Sequence, residues 1–278
     1  MECDEVQPVN EEDPMTQDST PAFETLEVAV EGMNGRLTLN RPEKLNPLST
    51  RTLRELADAA RWFDTQRQVK TVIVSGKGRA FSAGADISSF GDVASNDGLS
   101  PRESAETGWL MARAMEEMRA VTIAAIWGPC VGGGIVLAGA CDFRIAARDT
   151  YFSIPEVDLG IPLAWGGIPR LVREIGPAAT RDLVMTCRPF TADEAAGLGF
   201  LNSVLDAHEV LPAAEKLAMD LGRKSGLALY ATKTGINAAL EAMSPASGSW
   251  SDADSLVVAL GDPESRRLSA EYLERVRK

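Results

Sequence analysis

The stretch IAAIWGPCVGGGIVLAGACDFRIAA, residues 123–147, decides the fold class. Its two short apolar runs, at 123–128 and 142–147, predict buried strands, and a glycine-rich turn and a short apolar segment separate them. A strand, a loop, a helix and a second strand in this order favour a parallel pair joined by a right-handed crossover. The sequence therefore predicts an α/β fold with a mostly parallel sheet.

The residues before this stretch continue the alternation of strands and helices. Apolar residues form alternating or β-branched runs where strands are predicted, and they recur at helical spacing where helices are predicted. The predicted elements are a β-hairpin of 24–30 and 36–40 around a Met-Asn-Gly turn, a helix from the N-cap Ser49 to Asp64, a strand at 71–76 and a helix at 102–119.

From about residue 166 the pattern becomes almost wholly helical. These helices carry more apolar surface than one core can cover, which favours packing between subunits. The predicted helices span 167–175, 177–186, 191–197, 207–222, 227–242 and 250–260, and a last helix begins with Asp262 as N-cap and Pro263 at its first position.

The composition excludes several classes of protein. With 45% hydrophobic and 24% charged residues, the chain is a globular protein with material for a large core. The net charge is −12, but residues 1–22 hold seven acidic residues and no Lys or Arg. We therefore expect a disordered acidic tail at 1–22. No basic run stands out, which argues against nucleic-acid binding.

The sequence also limits the compartment and the catalytic chemistry. No apolar stretch approaches the roughly 18 residues of a membrane span, and no signal peptide pattern opens the chain, so we expect no membrane partner and a cytoplasmic protein. The four cysteines are far apart and form no CxxC pair, which predicts neither a disulfide framework nor a metal site. The single histidine, His208, lies in the first turn of a predicted surface helix, which disfavours histidine-dependent hydrolysis.

Two glycine-bearing segments carry the predicted chemistry. RAFSAGADISSF at 79–90 follows a strand, and its small residues let a ligand approach the backbone closely. GPCVGGGIVLAG at 128–139 opens a short helix whose first N–H groups have no partner within the helix. Together the two segments predict a pair of amides directed at one oxygen atom.

The chain resembles the crotonase, or enoyl-CoA hydratase/isomerase, superfamily. The resemblance covers residues 41–205 in unbroken order. It is carried by RPEKLNPLS (41–49), RAFSAGADI (79–87), the stretch 123–147, YFSIPEVDLGIP (151–162), GGIPRLVREIG (166–176) and PFTADEAAGLGFLNSV (189–204).

The resemblance implies a spiral of ββα units, here an acyl-CoA-binding core at 23–205, followed by a helical oligomerisation region at 206–278 that builds homotrimers or hexamers. It implies that the N–H groups of Ala85 and Gly133 form an oxyanion hole for an acyl-CoA thioester. No separate cofactor is implied, because coenzyme A is part of the substrate. The implied substrate or CoA contacts fall on Lys44, Leu45, Ala83, Asp86, Ile87 and Gly132.

One departure from the family pattern bears on the reaction. Typical hydratases carry two glutamates, one in GGGxE and one in a PE dipeptide. Here Val136 stands at the first position and Glu156 at the second. Syn addition of water is usually explained by two carboxylates, whereas a single carboxylate suffices for a proton shuttle. The predicted walls of the acyl pocket are Val136, Leu163 and Trp165.

Three functions therefore compete. The first is isomerisation of 3-enoyl-CoA to 2-enoyl-CoA with Glu156 as the single acid and base. The second is hydration or another enolate reaction, in which Asp158 could assist if it shared a strand face with Glu156. The third is a non-catalytic acyl-CoA-binding protein, which retention of Glu156 disfavours.

Overall fold

The computed structural model describes residues 20–86 and 98–277. Most of the predicted acidic tail, and Ile87 among the predicted CoA contacts, lie outside the described residues. The strands are β1 (Leu26–Glu31), β2 (Asn34–Leu39), β3 (Thr71–Gly76), β4 (Val121–Ile126), β5 (Pro129–Val131), β6 (Phe143–Ala147), β7 (Tyr151–Ser153), β8 (Phe190–Thr191) and β9 (Ser203–Leu205). The helices are α1 (Thr50–Thr65), α2 (Pro101–Glu117), α3 (Gly133–Gly139), α4 (Gly167–Thr186), α5 (Ala192–Gly197), α6 (Ala207–Gly222), α7 (Gly226–Met243), α8 (Asp252–Gly261) and α9 (Pro263–Arg277).

The strands form a large sheet and a small one. The large sheet has the order β1-β2-β3-β4-β6-β9, in which β1 and β2 are antiparallel and all other neighbours are parallel. The small sheet has the order β5-β7-β8. The predicted mostly parallel α/β core is confirmed. Every residue of β3 and β4 is buried, as is usual for parallel strands covered on both faces.

Local sequence explains where the first elements begin and end. Gly32 has a left-handed backbone (φ 62), so the hairpin turns at Gly32 and Met33 rather than at the predicted Met-Asn-Gly, and Asn34 already pairs with Glu31. The predicted N-cap is confirmed, since the Ser49 side chain accepts a hydrogen bond from the Thr52 N–H at 3.2 Å.

The fourth strand of the large sheet starts two residues earlier than predicted. Val121 already pairs with Thr71 of β3, and the strand ends at Ile126. Gly128 then turns the chain with φ 62. The apolar sequence continues from β4 into β5 of the small sheet, so apolar character alone does not mark the end of β4.

From Gly167 onward the described chain is mostly helical, with two short strands, β8 and β9, that were not predicted. β8 and β9 have two and three residues, too few for a periodic pattern. The two helices predicted at 167–175 and 177–186 form one segment, α4, with a break at Gly176 (φ 76). His208 is exposed in the first turn of α6, as predicted.

The last helices return to the core that precedes them. α8 packs against α2, and the Asp252 carboxylate accepts a hydrogen bond from the Gly166 N–H at 2.9 Å. Leu256 of α8 is buried in the main hydrophobic cluster. In the described ranges, no helix is both long and apolar enough to cross a membrane. The division at residue 205 into a core and an oligomerisation region stays a prediction.

Candidate active site

Buried side chains fix the loop after β3 to the loop before α1. Asn46 has a left-handed backbone, and its Nδ2 donates to the carbonyl oxygens of Lys77 and Ala80 at 3.0 and 2.8 Å. Ser82 Oγ donates to the Asn46 carbonyl oxygen at 2.8 Å. These bonds satisfy polar groups away from water and hold the first glycine-bearing segment in one position.

The two glycine-bearing segments lie side by side. Ser82 N donates to the Pro129 carbonyl at 3.1 Å, and Val131 N donates to the Ser82 carbonyl at 3.0 Å. Gly84 has φ 89, and a Cβ at this position would lie 2.7 Å from the Val131 oxygen and 3.6 Å from the Gly133 nitrogen. Only glycine permits this approach, which brings the second segment next to Gly84.

Two backbone N–H groups are left without acceptors where the segments meet. Leu48 N donates to the Gly84 carbonyl oxygen and Asp86 N donates to the Leu48 carbonyl oxygen, so the bridge uses the groups before and after the Ala85 N–H and leaves that N–H free. Gly133 is the first residue of α3, so its N–H has no acceptor within the helix. Neither group donates to any other atom of the described chain. Ala85 and Gly133 both line one small cavity.

Glu156 brings a buried carboxyl group to the same cavity. It follows β7 in a turn, is 9% exposed, and its Oε2 has no hydrogen-bond partner among the described residues. A Cβ on Gly132 would collide with the Glu156 carboxylate, so glycine there allows the carboxylate to lie against α3. Burial raises the pKa of Glu156 to about 7, because desolvation disfavours the charged form. Near neutral pH this group can both accept and donate a proton.

The remaining walls of the cavity are apolar. Its volume is about 20 Å³, which is close to the space for one water molecule. Val136 is 3% exposed and lines it, so no carboxylate occupies that position. The structure thus brings together Glu156, Ala85, Gly133, Val136, Leu163 and Trp165, all selected from the sequence, with Ile161, Pro162, Ala164 and Leu256, which sequence reasoning missed.

The residues assigned to CoA form a second group. Lys44 is exposed at the end of a short 3-10 helix, and Leu45 has a left-handed backbone. Ala83 N donates to the Leu45 carbonyl at 2.8 Å, which joins the two loops. The Asp86 carboxylate pairs with Arg41 at 2.9 Å. Gly132 belongs instead beside Glu156.

The expectation that Asp158 shares a strand face with Glu156 is wrong. Residues 156–160 form turns rather than a strand, so the two-residue spacing does not place the side chains together. Asp158 pairs with Arg275 of α9 at 3.1 Å, and its side chain is 47% exposed. It does not line the cavity.

Comparison with known proteins identifies the family. The profile described as enoyl-CoA hydratase/isomerase matches residues 33–277. The chain belongs to the enoyl-CoA hydratase/isomerase family. This family member is 36% identical to the crotonyl-CoA hydratase of Syntrophomonas wolfei over 221 residues, 79% of this chain and 84% of that protein. It is 34% identical to the short-chain-enoyl-CoA hydratase of Clostridium acetobutylicum over 212 residues, 76% of this chain and 80% of that protein.

Solved structures agree with this assignment. An enoyl-CoA hydratase from Mycobacterium avium subsp. paratuberculosis K-10 has a TM-score of 0.82 and 25% identity, covering 90% of this chain and 99% of that chain. An enoyl-CoA hydratase from Bacillus anthracis has a TM-score of 0.72 and 29% identity, covering 77% and 83%. The superfamily and the fold inferred from the resemblance are confirmed, and the protein is a crotonase-family enzyme.

Proposed function

We propose that this crotonase-family enzyme converts 3-enoyl-CoA thioesters into 2-enoyl-CoA thioesters, with Glu156 as its single acid and base. One observation carries the proposal. Among the described residues, the cavity that contains the two free N–H groups is lined by one carboxyl group, Glu156, and has Val136 at the position of the second glutamate of typical hydratases. The Val136 side chain can neither accept nor donate a proton. A proton shuttle by Glu156 is therefore the chemistry that the site supports best.

The two free N–H groups have a defined task in this proposal. When a proton leaves C2 of the acyl group, the electron pair moves onto the thioester oxygen and forms an enolate. The N–H groups of Ala85 and Gly133 donate hydrogen bonds to that oxygen. Donors fixed in a site that excludes water stabilise such a charge more than water does, and one of them typically contributes about 10²–10³ in rate.

Glu156 completes the reaction without water. Its carboxylate takes the proton from C2, and the resulting carboxylic acid gives a proton to C4. The electron pair returns from the oxygen to form the C2–C3 double bond as the C3–C4 double bond is lost. A pKa near 7 suits both steps, because neither protonation state is strongly favoured.

Hydration is the second candidate, favoured by the names of the relatives, which are hydratases. It would require Glu156 to serve both as the base for water and as the acid for C2. A non-catalytic acyl-CoA-binding role is disfavoured, because a buried carboxyl group with an unpaired oxygen destabilises the fold, and catalysis gives a reason to keep it whereas binding alone does not.

The substrate pair but-3-enoyl-CoA and but-2-enoyl-CoA tests the proposal. Purified enzyme is expected to convert but-3-enoyl-CoA to but-2-enoyl-CoA at least 10²-fold faster than it hydrates but-2-enoyl-CoA, with products separated by chromatography. Hydration as the faster reaction would make hydratase the better description. Saturable binding of both thioesters without either product would support the non-catalytic alternative.

For the CoA part of the substrate, we propose contacts with the joined loops that hold Lys44, Leu45 and Ala83, and with Asp86 and Ile87. Gly132, which lies against the Glu156 carboxylate, is proposed to contact the acyl part of the substrate instead. The exposed Lys44 ammonium offers a local positive charge for phosphate on an otherwise acidic protein. The Ala83–Leu45 hydrogen bond supports this placement, since it puts both loops at one edge of the site. No further cofactor is proposed.

For the assembly, we propose a homotrimer or hexamer. Several large apolar side chains of α7 are exposed, among them Leu227 at 78% and Met243 at 75%. An apolar helix face of this kind is unusual on the surface of a monomer. Light scattering at micromolar concentration is expected to give three or six times the chain mass of 29.7 kDa, and a stable monomer would contradict the assembly.

A further inference from the structure

The indole ring of Trp165 fills the space behind the reacting groups. A Cβ on Gly133 would collide with its six-membered ring, and a Cβ on Gly108 of α2 would collide with its five-membered ring. The indole therefore lies in van der Waals contact between two glycines on different helices. Both glycines are buried, and the indole lines the same cavity as Glu156.

The backbone fixes the indole in this place. Trp165 has φ 63, a conformation that is rare for a bulky residue and is kept only where the surroundings enforce it. Arg170 Nη1 donates to the carbonyl oxygens of Trp165 and Gly166 at 3.4 and 3.1 Å. The Asp252 carboxylate accepts from Gly166 N at 2.9 Å. Arg170 is itself paired with Glu116 of α2, so the loop is held from two helices.

We infer that Trp165 limits the enzyme to short acyl groups of about four carbons. The inference rests on the proposed function for the position of the thioester, at Ala85 and Gly133. Among the described residues, the cavity at these groups has a volume of about 20 Å³, and the indole forms the wall that rests on α2 and α3. Four carbons is the shortest chain that can carry a 3-enoyl double bond, so the limit is set there. Each further methylene needs space that the indole occupies. The indole cannot move toward α2 or α3, because Gly108 and Gly133 already lie against its ring.

Binding of saturated acyl-CoA thioesters tests the limit independently of turnover. Calorimetry with butyryl-, hexanoyl- and octanoyl-CoA is expected to show at least tenfold weaker binding of octanoyl-CoA than of butyryl-CoA. In Trp165→Leu, octanoyl-CoA binding should improve at least tenfold, while the Kd of CoA itself stays unchanged. One methylene in an apolar pocket is typically worth about tenfold or more, so the change is measurable.

Three further variants are controls for unfolding of the protein and for the general effect of removing any indole ring. Trp165→Phe keeps an aromatic ring and should give an intermediate preference. Gly108→Ala should push the indole into the cavity and weaken butyryl-CoA binding at least tenfold. Trp127→Leu removes an indole that packs in the other hydrophobic cluster and should leave the chain-length preference unchanged.

The outcomes separate this inference from the proposed reaction. Two results would overturn the role of Trp165. One is equal binding of butyryl- and octanoyl-CoA by the unaltered enzyme. The other is a chain-length preference in both Trp165→Leu and Trp165→Phe that stays within twofold of the preference of the unaltered enzyme. Those results would leave isomerase activity untouched. The expected preference without turnover of but-3-enoyl-CoA would support Trp165 and contradict the proposed function.

Discussion

Replacing Glu156 with glutamine is expected to lower the rate of but-3-enoyl-CoA isomerisation by about 10²–10⁴, the usual contribution of a general acid or base. Glutamine has nearly the same shape but cannot take a proton from C2. Because Ala85 and Gly133 are unchanged, the Kd of butyryl-CoA should stay within a few fold. Stopped or continuous assays of Glu156→Gln and of the unaltered enzyme at pH 8 measure the ratio of the two rates. Full activity in Glu156→Gln would show that another group moves the proton.

Glu156→Gln should also raise the free energy of unfolding at high pH, whereas a substitution that damages the fold would lower it. Because burial raises the pKa of Glu156 from its ordinary value of 4.5 to about 7 in the folded protein, ionisation of Glu156 destabilises the fold. The stability linked to this group is present below pH 4.5 and is lost as the pH rises through 7. Glu156→Gln should therefore gain up to about 3 kcal/mol over the unaltered enzyme at pH 8, and little at pH 4.5. Urea unfolding at the two pH values measures the difference.

Replacing Val136 with glutamate is expected to raise the hydration of but-2-enoyl-CoA by about 10²-fold, because it restores a second group for proton transfer. Val136 lines the cavity together with Glu156, so the new carboxyl group would face the same substrate. The two carboxyl groups should share one proton near neutral pH, since like charges at close range oppose each other. Chromatographic detection of 3-hydroxybutyryl-CoA measures the gain.

Val136→Gln is the matched control for this gain. It has the same size and polarity but no titratable group, so its hydration rate should stay at the level of the unaltered enzyme. Val136 is tightly packed, since a Cβ built on Gly167 would lie only 2.9 Å from Val136 Cγ2. Both variants place a larger side chain at this position and should lose about 1–3 kcal/mol of stability. Equal hydration by Val136→Glu and Val136→Gln, with both folded, would contradict the account.

The sequence predicted the reacting groups of the site better than it predicted the distant residues that complete the cavity wall. Glycines at 84, 132 and 133 mark close approaches that no other residue allows, and the structure uses each of them in that way. Leu256 was missed, because it lies about a hundred residues after Glu156 and nothing local links the two. Only the return of α8 across α2 brings it into the cavity.

Charged residues inside the fold were also beyond sequence reasoning. Lys233 lies on a largely exposed helix, yet it is buried and its Nζ donates to the Asp142 carboxylate at 2.7 Å and to the Ala120 carbonyl at 3.0 Å. Its partners come from elements about a hundred residues earlier in the chain. Helical spacing shows which residues share a face, but it does not show which distant carboxylate will meet a lysine.

The pH dependence of kcat/KM for but-3-enoyl-CoA tests the central claim most directly, because it reports the pKa of the essential base in the free enzyme. If Glu156 is that base, kcat/KM should be constant above about pH 8 and half of its maximum near pH 7, where burial has raised the Glu156 pKa. Below pH 6 it should fall about tenfold for each pH unit. A profile that is flat from pH 5 to pH 8, or a half-maximum near pH 4.5, would contradict the assignment of a buried Glu156 as the single acid and base.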